Sequence, residues 1–177
     1  MTDNNVYAPT GFQIMAFGQI IQTFARTETL WAAMVAKLIN CTMDHSFVLM
    51  SGLSFRAKKN AVTSLIHHVS ISATQKERII WFVSQVAKHS RLRNSIAHHV
   101  WVTGTRPKSI KPSYFDIMGG KGEIIGDDDE EVDYTDEDLE IAADELSTLY
   151  NDFLAYLLSE NLIDPPDKTA FTSSTTS

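Results

Sequence analysis

The chain has 177 residues, about one domain, and its 44% hydrophobic content is that of a globular protein and not of a disordered one. It holds no apolar run of 18 residues, which excludes an apolar membrane helix, and residues 1–11 lack the basic start and apolar centre of a secretory signal. The net charge of −7 is divided unevenly: residues 1–126 carry 14 Lys and Arg against 6 Asp and Glu, whereas residues 127–177 carry one Lys against 16 Asp and Glu.

From Phe12 to about Cys41, apolar residues recur at helical spacing, through Phe17, Ile20, Phe24, Trp31, Met34 and Leu38. This is either one long helix or two joined near Arg26 to Thr29, with Thr27 or Thr29 capping the second. Asp44 or Ser46 opens a short turn that ends at Gly52. Ser54 is a good cap for the next helix, whose stripe is Phe55, Val62, Leu65, Ile66 and Val69, with Arg56, Lys58 and Lys59 facing outward. Thr74-Gln75-Lys76-Glu77 reads as a capping box, and Ile79, Phe82, Val83, Val86, Leu92, Ile96 and Val100 carry one helix onward from it.

Residues 102–134 change character, with Gly104, Pro107, Pro112, Gly119, Gly120, Gly122 and Gly126 as punctuation. Residues 114–118 and 123–125 pair as a small hairpin, and Asp127-Asp128-Asp129-Glu130-Glu131 is an acidic loop. Thr135 caps the last helix, whose stripe runs from Leu139 to Leu158 and which stops near Asn161. The expected fold class is all-α: an up-and-down bundle of four to five helices with a small hairpin-like insertion before the last helix. The domain spans 12–163, between a flexible stretch at 1–11 and a disordered tail at 164–177. Its broad aromatic stripes exceed what a small bundle hides, so a two-fold homodimer is expected.

Chemistry concentrates in Arg91-Leu92-Arg93-Asn94-Ser95-Ile96-Ala97-His98-His99-Val100-Trp101. A guanidinium is a fixed cation whose donor fork suits phosphate. An imidazole both takes and gives a proton near neutral pH. A five-residue separation rotates about 140° on a helix, so Arg93 and His98 are not expected on one face, whereas Asn94 and His98 are. The alternative registers Arg91 with His98 and Arg93 with His99 remain open. Lys88, His89, Arg91, His99, Arg106, Lys108 and Lys111 lie close enough in sequence to extend a basic cleft for a nucleic-acid backbone. The plainer reading is a helix C-terminus whose cations complement the dipole.

Arg93-Asn94-Ser95-Ile96-Ala97-His98, with Trp101 after it, resembles the HEPN superfamily of small all-α domains, whose hallmark is Arg, a polar residue, three further positions and His. Ser51-Gly52-Leu53-Ser54-Phe55 before a Lys-rich helix is similar to a feature of small bacterial members. The resemblance covers about residues 26–160, and its specific part is some nine residues long. It implies a metal-independent endoribonuclease, dimeric so that two motifs share one cleft. Its catalytic residues would be Arg93, Asn94 and His98, and its products a 2′,3′-cyclic phosphate and a 5′-OH. It also implies RNA as the substrate and, in many members, a toxin or defence role beside an antitoxin protein. Other members are inactive and bind a partner protein or nucleotide.

No cofactor and no metal is expected. His67 and His68 are adjacent and point to different faces, and no ligand spacing surrounds them. Cys41, the single cysteine, is read as a small core residue in a protein of the reducing cytoplasm. Trp31, Trp81 and Trp101 are read as core or dimer contacts. Glu28 is a candidate support for the cleft from the first helix. Gly119-Gly120-Lys121-Gly122 lacks the spacing of a phosphate loop.

Overall fold

The structure is a computed structural model, and it describes residues 8–116, 123–126 and 133–165. The acidic run 127–131, the Gly-rich segment 119–122, most of the N-terminal stretch and nearly all of the tail lie outside the described residues. Among the described residues no helix is long and apolar enough to cross a membrane.

Among the described residues six helices form a bundle, where four to five were expected: α1 (Gly11–Leu38), α2 (Met43–Ser51), α3 (Phe55–His68), α4 (Ala73–Lys88), α5 (Ser90–His98) and α6 (Asp136–Ser159). The all-α bundle is as expected from the periodicity, with the insertion before α6. α1 is a single helix. Thr27 and Thr29 cap nothing; their hydroxyls donate to the carbonyls of Thr23 and Ala25 one turn back. Thr10 caps α1 and Gln13 reaches back to complete a capping box. Ser54 and Thr135 cap α3 and α6. The box of α4 sits two residues earlier than expected, with Ser72 as cap and Gln75 as its partner.

The core lies between α1 and α6 and is closed by α3 and α4, with Ile20, Phe24, Trp31, Met34, Ile66, Phe82, Leu146, Phe153 and Leu157 almost fully buried. Phe82 stacks on Phe153 at 4.8 Å, and Phe55 packs against both Phe24 and Trp31. Trp31 and Trp101 are buried, whereas Trp81 lies on the surface beneath Arg78.

Two boundaries differ from the expected ones. The long helix through Val100 is broken at His89, and α5 ends at His98 because His99 adopts extended backbone angles. Val100 then opens a strand. β1 (Val100–Thr103), β2 (Ile110–Asp116) and β3 (Glu123–Gly126) form an antiparallel sheet in chain order. The expected hairpin is its β2–β3 half, with Tyr114 opposite Ile125, and β1 adds Trp101 opposite Pro112. An isolated bridge between Ile110 and Tyr134 ties this sheet to the entry of α6.

Candidate functional site

Ser90, Asn94 and His98 recur every four residues along α5 and therefore share one face. Arg93 sits to one side of that face, about 140° from His98, as the spacing implies. Both residues nevertheless line one cavity of about 630 Å³.

The opposite wall comes from elements distant in sequence. Leu53, Ser54 and Phe55 form the link into α3, and Arg56, Lys58 and Lys59 follow in its first turns. Glu28 enters from α1 and Ala87 from the end of α4. Four fixed cations thus surround one carboxylate, which makes the cavity attractive to an anion. The two segments that carry the resemblance, Ser51 to Phe55 and Arg93 to His98, lie against the same space.

Arg93 is half-buried. Its Nη1 donates to Asn94 Oδ1 at 3.1 Å, while its Nε is buried without a hydrogen-bond partner among the described residues. Asn94 and His98 are exposed. Lys58 Nζ and Glu28 Oε2 form an ion pair at 2.5 Å, with side chains 12% and 18% exposed. The reading of Lys58 and Lys59 as outward-facing is corrected here: both are half-buried in the cavity wall. Glu28, Arg56, Lys58 and Lys59 complete the site. The Lys-rich turn after Ser54 was their sequence signal.

The other residues expected to extend the cleft are not among its lining. Lys88 is exposed and donates to Gln85 Oε1. His89 is half-buried 3.5 Å from Glu145, and its pKa is lowered, mainly by burial and further by Lys88, with Glu145 opposing. Arg91 places its charge near Tyr134. His99 is half-buried where α5 gives way to β1. Arg106 and Lys108 belong to the β1–β2 turn, where Lys108 is exposed with a φ of 60°. Lys111 is buried within β2.

Arg106 is turned to carboxylates. It bonds Asp138 at 2.5 Å and the main-chain oxygen of Asp133, and with Asp133, Asp138 and Glu145 it lines a separate cavity of about 470 Å³. A larger groove of about 1090 Å³ runs between α1 and the end of α6, past Arg26, Lys37 and Tyr150. Cys41 lines that groove, half-buried, so it is not a core residue as expected.

No protein-family model, curated protein or solved structure matches this chain.

Proposed function

We propose that this chain is a HEPN-type, metal-independent endoribonuclease that acts as a homodimer, with a toxin or defence role, an antitoxin protein as partner and a bacterial, cytoplasmic setting. The observation that carries the reading is the meeting of Arg93, Asn94 and His98 with Arg56, Lys58 and Lys59 in one open cavity.

Transesterification of RNA needs a base for the 2′-OH, positive charge at the phosphorus and a proton for the departing 5′-oxygen. His98 is the proton-transfer group at the mouth of the cavity. Arg93 holds the non-bridging oxygens, oriented by Asn94. The 2′-oxygen forms a bond to phosphorus as the P–O5′ bond breaks, leaving a cyclic phosphate and a 5′-OH. One cavity offers one imidazole of α5, and a second copy supplies the other, so that one His98 takes a proton while its counterpart gives one. Phe47, Val48 and Leu49 on α2 are 49%, 73% and 62% exposed, and Leu53, also exposed, lines the cavity. This apolar strip supports the dimer reading.

Arg93→Ala and His98→Ala should each lower cleavage of RNA in EDTA by at least about 10²-fold. Undiminished cleavage by both variants overturns the proposal. The second reading, an inactive dimer that binds a partner protein or nucleotide, draws on the size of the cavity, which suits a single nucleotide. Retained nucleotide binding by a protein that cleaves no RNA would favour it.

A further inference from the structure

An enclosed cation of the cleft, Lys58 with a side chain 12% exposed, lies outside the Arg93–His98 motif. Ser54 caps α3, and Phe55 is fixed by Phe24 at 5.3 Å and Trp31 at 5.5 Å. That anchoring sets the rotation of the first turn. Lys58, three positions on, is carried along the same face to α1, where Glu28 meets it. Among the described residues, Lys58 is the cleft cation held by an ion pair; Arg56 is exposed.

An isolated pair so enclosed is a poor stabilising device, because desolvating two charges offsets most of their attraction. It is a good binding device. The carboxylate holds a long, flexible side chain in one place, so less rotamer freedom is lost when an anion arrives. An ammonium carries three protons, and Glu28 Oε2 accepts one of them. We infer that Lys58 is a second phosphate-contacting cation of this cleft, beside Arg93, and that Glu28 is a positioning residue that holds its ammonium at the wall. The inference rests on the reading of the cleft as a phosphodiester site. Its ligand is the backbone of single-stranded RNA.

The test uses the full chain and a fluorescent single-stranded 2′-O-methyl oligonucleotide, which binds but has no 2′-OH to attack. Affinity is measured across a salt series. Lys58→Gln should weaken binding at low salt and flatten the slope of log K against log salt by about 0.7, the loss of one phosphate contact. Lys37→Gln, which removes a cation outside the cleft, should leave the slope unchanged. Glu28→Gln should keep the slope while slowing cleavage of unmodified RNA, because the charge remains but is no longer held. The double variant Glu28→Gln with Lys58→Gln guards against unfolding around an unpaired carboxylate and should show the same flattening as Lys58→Gln.

A wild-type slope in folded Lys58→Gln and in the double variant overturns the inference and leaves the nuclease reading standing. Flattened slopes in a protein that binds but never cuts uphold it and sink the nuclease reading. Absence of salt-dependent binding by the wild type overturns both.

Discussion

Asp133 shows how one side chain sets a local structure. It is 3% exposed, and its Oδ2 accepts from Thr105 N, Thr105 Oγ1, Arg106 N and Ser109 Oγ. Burial alone would raise its pKa. The bonds from Thr105, Arg106 and Ser109 outweigh burial, and the pKa is lowered. Asp133→Ala should cost about 3 kcal/mol in urea unfolding, because buried amide donors lose their acceptor. The sign with pH follows from the lowered value. The unfolded chain takes its proton first, so this contribution is complete above about pH 4 and is lost as pH falls through the folded value. The Asp133→Ala variant should therefore show a shallower acid loss of stability than the wild type, and equal acid slopes would refute the assignment. The same residue helps hold Arg106 away from the cavity of Arg93 and His98. The positive charge of Arg106 suggested an RNA contact; its guanidinium donates to the Asp133 main-chain oxygen and pairs with the Asp138 carboxylate, 27 and 32 positions away. Such long-range pairing leaves no trace in local spacing, whereas Arg93 and His98, five apart, carry their relation in the sequence.

At the scale of elements, the β1–β2 turn and the α4–α5 junction are two links that the packing visibly constrains. A Cβ on Gly104 would stand 2.0 Å from Ser109 Oγ and 2.9 Å from the Ser109 carbonyl carbon. Gly104→Ala should therefore destabilise the protein by about 2 kcal/mol through forced backbone movement, read as a lower midpoint in urea; an unchanged midpoint would show that the turn yields freely. At the junction, the pKa of His89 is lowered chiefly by burial. The unfolded imidazole gains its proton near pH 6.5, ahead of the folded one, so stability falls as pH drops from there toward the folded value. His89→Gln should flatten stability over that window, checked by urea midpoints across the pH range.

The caps at Ser54 and Thr135 and the stripes of α1 and α6 were legible because each is a local pattern. The break at His89 was not, since Leu92, Ile96 and Val100 continue a spacing of four that a single helix satisfies equally well. The β-branched and aromatic run Val100, Trp101, Val102 and Thr103 held the sign of β1, but a four-residue strand is too short to outweigh a helical period. The wall of the site from Leu53 to Lys59 was legible only as an adjacent Lys-rich helix. Its meeting with α5 is a tertiary fact.

For the whole molecule, the decisive question is how many copies work together. The basic residues 1–126 supply the cleft, and much of the remaining acidic excess is spread along α6. Dense apolar exposure remains at two places: Phe12, Ile14 and Met15 at the start of α1, and Phe47, Val48 and Leu49 on α2. The second ends four residues before Leu53, which lines the cavity, and on the proposed dimer reading it is the face a second copy covers. Val48, at 73% exposure, makes little packing of its own. Val48→Asp should therefore change chain stability by no more than about 0.5 kcal/mol while placing a carboxylate in the proposed contact between copies. Sedimentation should show a dimer for the wild type and a monomer for this variant. RNA cleavage per chain should fall with dimer content, because each phosphate then meets a single His98. A wild type that is monomeric at every concentration yet still cuts RNA would remove the need for a second imidazole, and the division of proton transfer between two copies would have to be abandoned.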